Sequence, residues 1–248
     1  MKNMWTKMLV GTAALMMSGI ALAQDSKPAT QPEAKPATAP ASDPAVKDKG
    51  DKGDKAGKGE KGNKGGKDAA KTPTAGDAAP DFTLKGLDGK EVTLSALTKE
   101  GKIVVIQWFN PDCPFVVKHY EKGGNTFNDM HAKYSGRNVV LLGINSGAAG
   151  KQGAGKERNE KAVKDWKIAY PILLDESGKV GQAYGAKRTP EMFIVTPDGK
   201  IAYHGAIDDD RGNGVGKNNY VTKALDEILA KTNVTTAKTE PYGCSVKY

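Results

Sequence analysis

Two stretches of this 248-residue chain, residues 102–109 (KIVVIQWF) and 138–145 (NVVLLGIN), are almost continuously apolar. A strand with one face in water alternates apolar and polar residues; one covered on both faces reads as an unbroken apolar run. Strands of that kind require helices above and below the sheet, which restricts the chain to a layered α/β architecture. The helices are found where they are needed. After Pro114, the run FVVKHYEKGGNTFNDMHAKY places apolar residues at helical spacing, and Gly123–Gly124 predicts a break between two helical pieces. Residues 157–168 (ERNEKAVKDWKI) form an amphipathic helix with Val163 and Trp166 on one face, and 146–156 is a glycine-rich loop before it. Residues 171–175 (PILLD) predict a short strand, 179–185 (KVGQAYG) a short helix, and 219–230 a closing helix with Val221, Leu225, Ile228 and Leu229 on one stripe.

Two hairpins complete the pattern. Residues 81–97 (DFTLKGLDGKEVTLSAL) alternate on both sides of an Asp-Gly turn, and 191–205 (EMFIVTPDGKIAYHG) flank a second one. A β-hairpin, then alternating strands and helices, then a hairpin and a helix predict an α/β sandwich with a central mixed sheet.

The first 76 residues lie outside that plan. Lys2 and Lys7, an apolar stretch to about Ile20 and the sequence Ala21–Leu22–Ala23 make a secretory signal peptide, with cleavage expected after Ala23. Residues 24–76 contain no aromatic side chain and one branched aliphatic, Val46, too little apolar surface to offset chain entropy. They read as a disordered linker, Pro/Ala-rich and then Lys/Gly-rich; a collagen-like helix is disfavoured because Ala56 interrupts the glycine beat. The folded domain is expected over 77–232, followed by a tail, 233–248. The net charge of +8 lies mostly in residues 1–76, which hold 13 lysines against eight acids, while the rest holds 24 basic against 21 acidic residues. That balance leaves no nucleic-acid footprint in the domain, and anionic envelope surfaces remain as a contact for the lysine-rich linker.

Only two cysteines are present, Cys113 in FNPDCPFVVKHY and Cys244 in PYGCSVKY. Cys113 falls at the carboxyl end of the first buried strand, where the following helix starts, the edge at which open α/β sheets place their sites. There a helix N-terminus stabilises a thiolate, the nucleophilic form of cysteine. Pro114 suits the first helical turn because it has no N–H to leave unsatisfied. Asp112 acts in the opposite sense, disfavouring a second negative charge. No cofactor motif is read, and neither cofactor nor metal is expected. In IDDDRGNG (207–214) the spacing fails a calcium loop because Arg211 stands where a ligand is needed.

Taken together, KIVVIQWFNPDCPF, AKRTPEMFIVTPDGKIAYHG and the ending GCSVKY resemble the thioredoxin-fold redoxins of the peroxiredoxin-like (AhpC/TSA-related) family, over about residues 75–248. The resemblance implies a thioredoxin-like α/β/α sandwich, with Cys113 as the attacking cysteine and a peroxide or a disulfide as substrate. It also implies Pro190 as a cis-proline facing Cys113, Thr189 as a backbone platform for substrate, and Arg188 as a cation near the thiolate. A thiol reductant, unidentified, is implied as partner. The chain departs from the pattern at Val116, where a Cys-x-x-Cys motif has its second cysteine, and at Asn110, where peroxiredoxins have a threonine. His119, about 240° around the helix from Cys113, is expected to be structural, and Trp108 to pack beneath the site.

Three roles stay open for Cys244: resolving an oxidised Cys113, forming a permanent bridge with it, or standing unpaired or pairing between molecules. Two rival functions also remain. One is a non-catalytic thioredoxin-fold binding or stress module. The other is a copper-handling module using His204, for which Val117 stands where the second thiolate is needed.

Overall fold

The computed structural model describes residues 72–121 and 123–248. The signal segment and most of the linker, with its expected surface contacts, lie outside the described residues.

In chain order the elements are β1 (Thr83–Gly86), β2 (Glu91–Thr93), α1 (Leu94–Lys99), β3 (Ile103–Trp108), α2 (Pro114–Val117), α3 (Thr126–Tyr134) and β4 (Val139–Asn145). They continue as α4 (Lys156–Asp165), β5 (Ile172–Leu174), α5 (Lys179–Tyr184), β6 (Arg188–Thr189), β7 (Met192–Val195), β8 (Ile201–Gly205), α6 (Tyr220–Leu229) and β9 (Cys244–Ser245). Seven strands form one mixed sheet in the order β2-β1-β5-β4-β3-β7-β8. The two long apolar runs lie side by side at its centre, parallel, with Val105 opposite Leu141. β7 runs antiparallel on the other side of β3, with Ile194 opposite Val105. The expected N-terminal hairpin is present and extends the far edge of this sheet.

Alternation along β3 divides the core. Val104, Ile106 and Trp108 face a layer containing Leu94 of α1, Tyr184 of α5 and Phe193. Ile103, Val105 and Phe109 face the opposite layer, with Phe127 and Met130 of α3, Val221 and Leu225 of α6, and Cys113. Each buried Val, Leu, Ile, Phe or Met side chain among them contributes roughly 1.5–3 kcal/mol by leaving water. Trp108 therefore packs on the layer opposite Cys113, with its indole N–H donating to Ser146 Oγ at 3.2 Å.

One element differs from the alternation read in the sequence. Residues 94–99 continue the pattern of the second hairpin strand but form α1. Leu94 and Thr98 share a buried helical face, and the Asp81 carboxylate accepts from the N–H of Ser95 at 2.9 Å. That contact satisfies a first-turn donor that would otherwise be free, which favours the helix over a longer strand.

Candidate functional site

Cys113 sits where β3 hands over to α2. It is the residue before the first helical one, in extended conformation, and Pro114 opens the turn. The turn into it is built by Asn110. Its side-chain oxygen accepts from the N–H of Asp112 at 2.8 Å, and its amide donates to the carbonyl of Gln152 at 3.1 Å. The Asn110 carbonyl accepts from the N–H of Cys113. Asn110 thus spends its polar atoms on the turn and on the glycine-rich loop beside it. α2 is four residues long. A helix of one turn has few aligned peptide dipoles, so its field at the sulfur is small. The charge of Asp112 is taken up elsewhere. Arg158 of α4 places its Nε and Nη2 each at 2.7 Å from Asp112 Oδ1, and Nη2 also donates to the Pro111 carbonyl. Nothing in the local sequence announces Arg158, which lies 46 residues on from Asp112.

Cys113 is completely buried, and its thiol donates to the carbonyl of Thr189 at 3.0 Å. The Thr189–Pro190 peptide bond is cis. Thr189 belongs to β6, which stands apart from the main sheet and pairs only with β9. In that antiparallel ladder Thr189 lies opposite Cys244 and Arg188 opposite Ser245. The pairing brings the two cysteines, 131 positions apart, to one place, and both are free thiols. Burial, with the Cys113 thiol as hydrogen-bonding neighbour, pushes Cys244 up to about 12.

Residues on either side of Cys244 hold it there. Tyr242 is buried edge-on against Phe115, with the ammonium of Lys118 4.6 Å from its ring centre. Its hydroxyl donates to Asp208 Oδ1 at 2.5 Å, and His119 Nε2 is 3.3 Å away. Gly243 has φ +115°, and a Cβ there would fall 2.1 Å from the Thr189 oxygen. Beyond the cysteine, Val246 N–H donates to the Lys187 carbonyl, Ala148 N–H to that of Lys247, and the Tyr248 hydroxyl to that of Ala186.

The AhpC/TSA family profile matches residues 75–204. The chain belongs to the AhpC/TSA family. The thiol-disulfide oxidoreductase ResA of Geobacillus thermodenitrificans is 30% identical over 126 residues, which make up 51% of this chain and 66% of that protein. The chain thus spans just under two thirds of the length of the curated relatives it matches. Among solved structures, a hypothetical protein of Sinorhizobium meliloti aligns with a TM-score of 0.63 and 30% identity, covering 72% of this chain and 96% of that one. An uncharacterized conserved protein of Geobacillus kaustophilus aligns with a TM-score of 0.64 and 29% identity, over 72% and 93%. The fold is the thioredoxin-like sandwich read from the sequence.

Within this AhpC/TSA chain the acidic segment 207–214 has a different occupant from the cation considered for it. Lys118, 4% exposed, sends its ammonium into the loop, donating to the carbonyls of Asp210 at 2.6 Å and Gly212 at 3.1 Å. Burial lowers the pKa of that ammonium, against the opposing pull of Asp208 and Asp210. Next to it, His119 is fully enclosed between Thr126 and Tyr242. Burial pushes His119 down to about 4, with Lys118 adding to the effect and Asp208 and Asp210 opposing it. Among the described residues no group of three or more His, Cys, Asp or Glu side chains is arranged to hold a metal.

Arg188 is exposed at the start of β6, and its guanidinium donates to the Gly243 carbonyl at 3.4 Å, so it lies beside Cys244. Glu191, buried directly after the cis-proline, went unread in the sequence. One carboxylate oxygen accepts the N–H groups of Lys187 and Arg188 at 2.7 and 2.9 Å; the other meets His204 Nε2 at 2.7 Å. Glu191 therefore fixes the backbone of β6 from below, and His204 is committed to it. The only signal available was an acid set between Thr-Pro and an apolar strand.

Proposed function

We propose that this chain is an exported thiol oxidoreductase in which Cys113 and Cys244 cycle between dithiol and disulfide. The single observation that supports this most is the register of β9 on β6, with Cys244 opposite Thr189 and its thiol beside that of Cys113. The AhpC/TSA family and the thiol-disulfide oxidoreductase relatives agree with it, and the signal-like N-terminus supports export.

In the oxidising half-cycle, with β9 parted from β6, the Cys113 thiolate attacks one sulfur of a disulfide and expels the other as a thiol. Cys244, deprotonated, then attacks Cys113 Sγ, releases the second thiol and closes the Cys113–Cys244 bond. Two electrons pass from the pair to the substrate. With a peroxide, Cys113 becomes a sulfenic acid with release of the alcohol or water. Cys244 then condenses with it, releasing water. The Thr189 carbonyl holds the Cys113 proton in the resting dithiol and regains it on reduction. Returning the pair to the dithiol takes two electrons from an external thiol reductant.

Complete burial of Cys113 favours a second reading, a binding module whose thiol does not react. One experiment separates the two. The reduced full chain is treated with one equivalent of hydrogen peroxide or of a small disulfide and followed by intact mass. Loss of two hydrogens, abolished by Cys244→Ser and by Cys113→Ser, is expected. No mass change, or oxidation no faster than that of free glutathione, refutes the cycle and leaves the binding module.

A further inference from the structure

The oxidised pair has to be reopened from outside, and the surroundings of the two sulfurs restrict what can do so. Cys113 has no exposed surface, and β9 lies across it. The main-chain edge next to the sulfurs is that of β6, and it is already paired. An extended peptide adding to that edge uses the same N–H and C=O groups as β9. It would first have to pull Tyr242 from its pocket between Phe115, Lys118 and Asp208, and break the Val246 and Lys247 main-chain bonds. A protein disulfide or dithiol that docks by strand pairing therefore meets a filled slot. Cys244 is the half-buried member of the pair, and the next residue of β9, Ser245, is exposed. Two cations near its sulfur, Lys247 and Arg188, favour its thiolate. Arg188 reaches the Gly243 carbonyl, and the Lys247 ammonium lies 3.3 Å from Ser245 Oγ, so the two flank the cysteine along the strap.

Resting on the dithiol–disulfide cycle above, we propose that the external reductant is a low-molecular-weight thiol carrying a carboxylate, and that it attacks Cys244. Its thiolate forms a bond to Cys244 Sγ, the Sγ–Sγ bond breaks, and Cys113 leaves as a thiolate that takes up a proton and restores its bond to Thr189. A second molecule of the thiol then attacks the small-molecule sulfur of the mixed disulfide. Cys244 is released as a thiol with the reductant oxidised to its own disulfide, which accounts for both electrons. Strap and socket stay in place throughout.

The full chain, oxidised to the two-hydrogen-loss species, is mixed with 3-mercaptopropionate, 2-mercaptoethanol or cysteamine. Each thiolate rate is normalised to that thiol's reaction with 2-hydroxyethyl disulfide, because intrinsic nucleophilicity varies with thiol pKa. The carboxylate thiol is expected to react about tenfold faster than the ammonium thiol at low salt, with the neutral thiol between them. The spread should shrink toward parity near 1 M salt, where the Debye length falls to about 3 Å. After acid quench and N-ethylmaleimide, the adduct should map to Cys244 and the maleimide to Cys113. Replacing both Arg188→Glu and Lys247→Glu should invert the order. Equal normalised rates, an adduct on Cys113, or faster reduction by reduced thioredoxin at the same concentration would each overturn the proposal. A charge readout that needs no disulfide is alkylation of reduced Cys244, where iodoacetate should gain on iodoacetamide relative to a neutral reference thiol. If the disulfide never forms, the cycle itself fails; if it forms and the selectivity is absent, only this inference does.

Discussion

Gly243 is the position at which one methyl group tests the strap. Its φ of +115° is strained for an L residue, and an added Cβ would lie 2.1 Å from the Thr189 oxygen and 3.3 Å from Phe115 Cβ. The oxygen belongs to the backbone and cannot swing aside as the end of a flexible side chain would. Relief comes from parting β9 from β6. The backbone cost alone is about 1–2 kcal/mol, and the close contact brings the total to roughly 2–3 kcal/mol. That corresponds to about a 30- to 150-fold rise in the population with the strap open. Labelling of a buried group through a rapidly closing opening follows that population. Gly243→Ala should therefore speed N-ethylmaleimide labelling of Cys113 by that factor in the reduced folded chain, and slow closure of the Cys113–Cys244 disulfide. Gly199→Ala is the control, since Gly199 has φ +77° with nothing within 4 Å of its Cβ, far along the chain from the strap. Labelling of Cys113 in Gly243→Ala within about threefold of the parent, or a matching rise in the Gly199→Ala control, refutes the idea that β9 seals the thiol.

His119 predicts a pH dependence. Its folded value of about 4 lies below the unfolded 6.5, so the unfolded chain binds the extra proton between those values. Its contribution is fully present above pH 6.5 and is lost as pH falls, about 2 kcal/mol by pH 5 and about 3 kcal/mol below pH 4. Urea unfolding at pH 8 and pH 5 should show this loss, and His119→Gln should flatten it; an unchanged slope in the variant counts against the assignment. Tyr242→Ala empties the aromatic socket and leaves Asp208 without its hydroxyl donor, at a cost of roughly 3–5 kcal/mol. Limited proteolysis should then cut within 236–243 while sparing the sheet. Lys118→Met removes the ammonium that the carbonyls of Asp210 and Gly212 accept from, at about 2 kcal/mol or more; amide exchange should rise in residues 208–216 first.

The parts of this molecule that were legible in the sequence are those with a local or periodic signature. β3 and β4 read as buried strands because both their faces are covered, and Cys113 falls at the strand-to-helix junction because Pro114 marks it. What escaped has no such signature. The α1 segment alternates like a strand, and its helix is decided by Asp81, 14 residues earlier. The β6–β9 ladder is two residues long and joins positions more than 50 apart, too short for alternation to register. Lys118 has no local signature, because the acidic loop that encloses it lies more than 90 residues away. Glu191 and Arg158 are ordinary charged residues until the backbone they hold is known.

The separation in sequence between the sheet and its seal has a consequence for proteolysis. Every strand of the central sheet precedes residue 206 and α6 closes at Leu229, so the layers of the fold are complete before the segment that covers Cys113 begins. Tyr242, Gly243 and Cys244 lie beyond that point, and only their docking converts an open thiol into an enclosed one. A chain clipped between α6 and Tyr242 is thus a different chemical species from the intact one, with the same sheet and a bare sulfur.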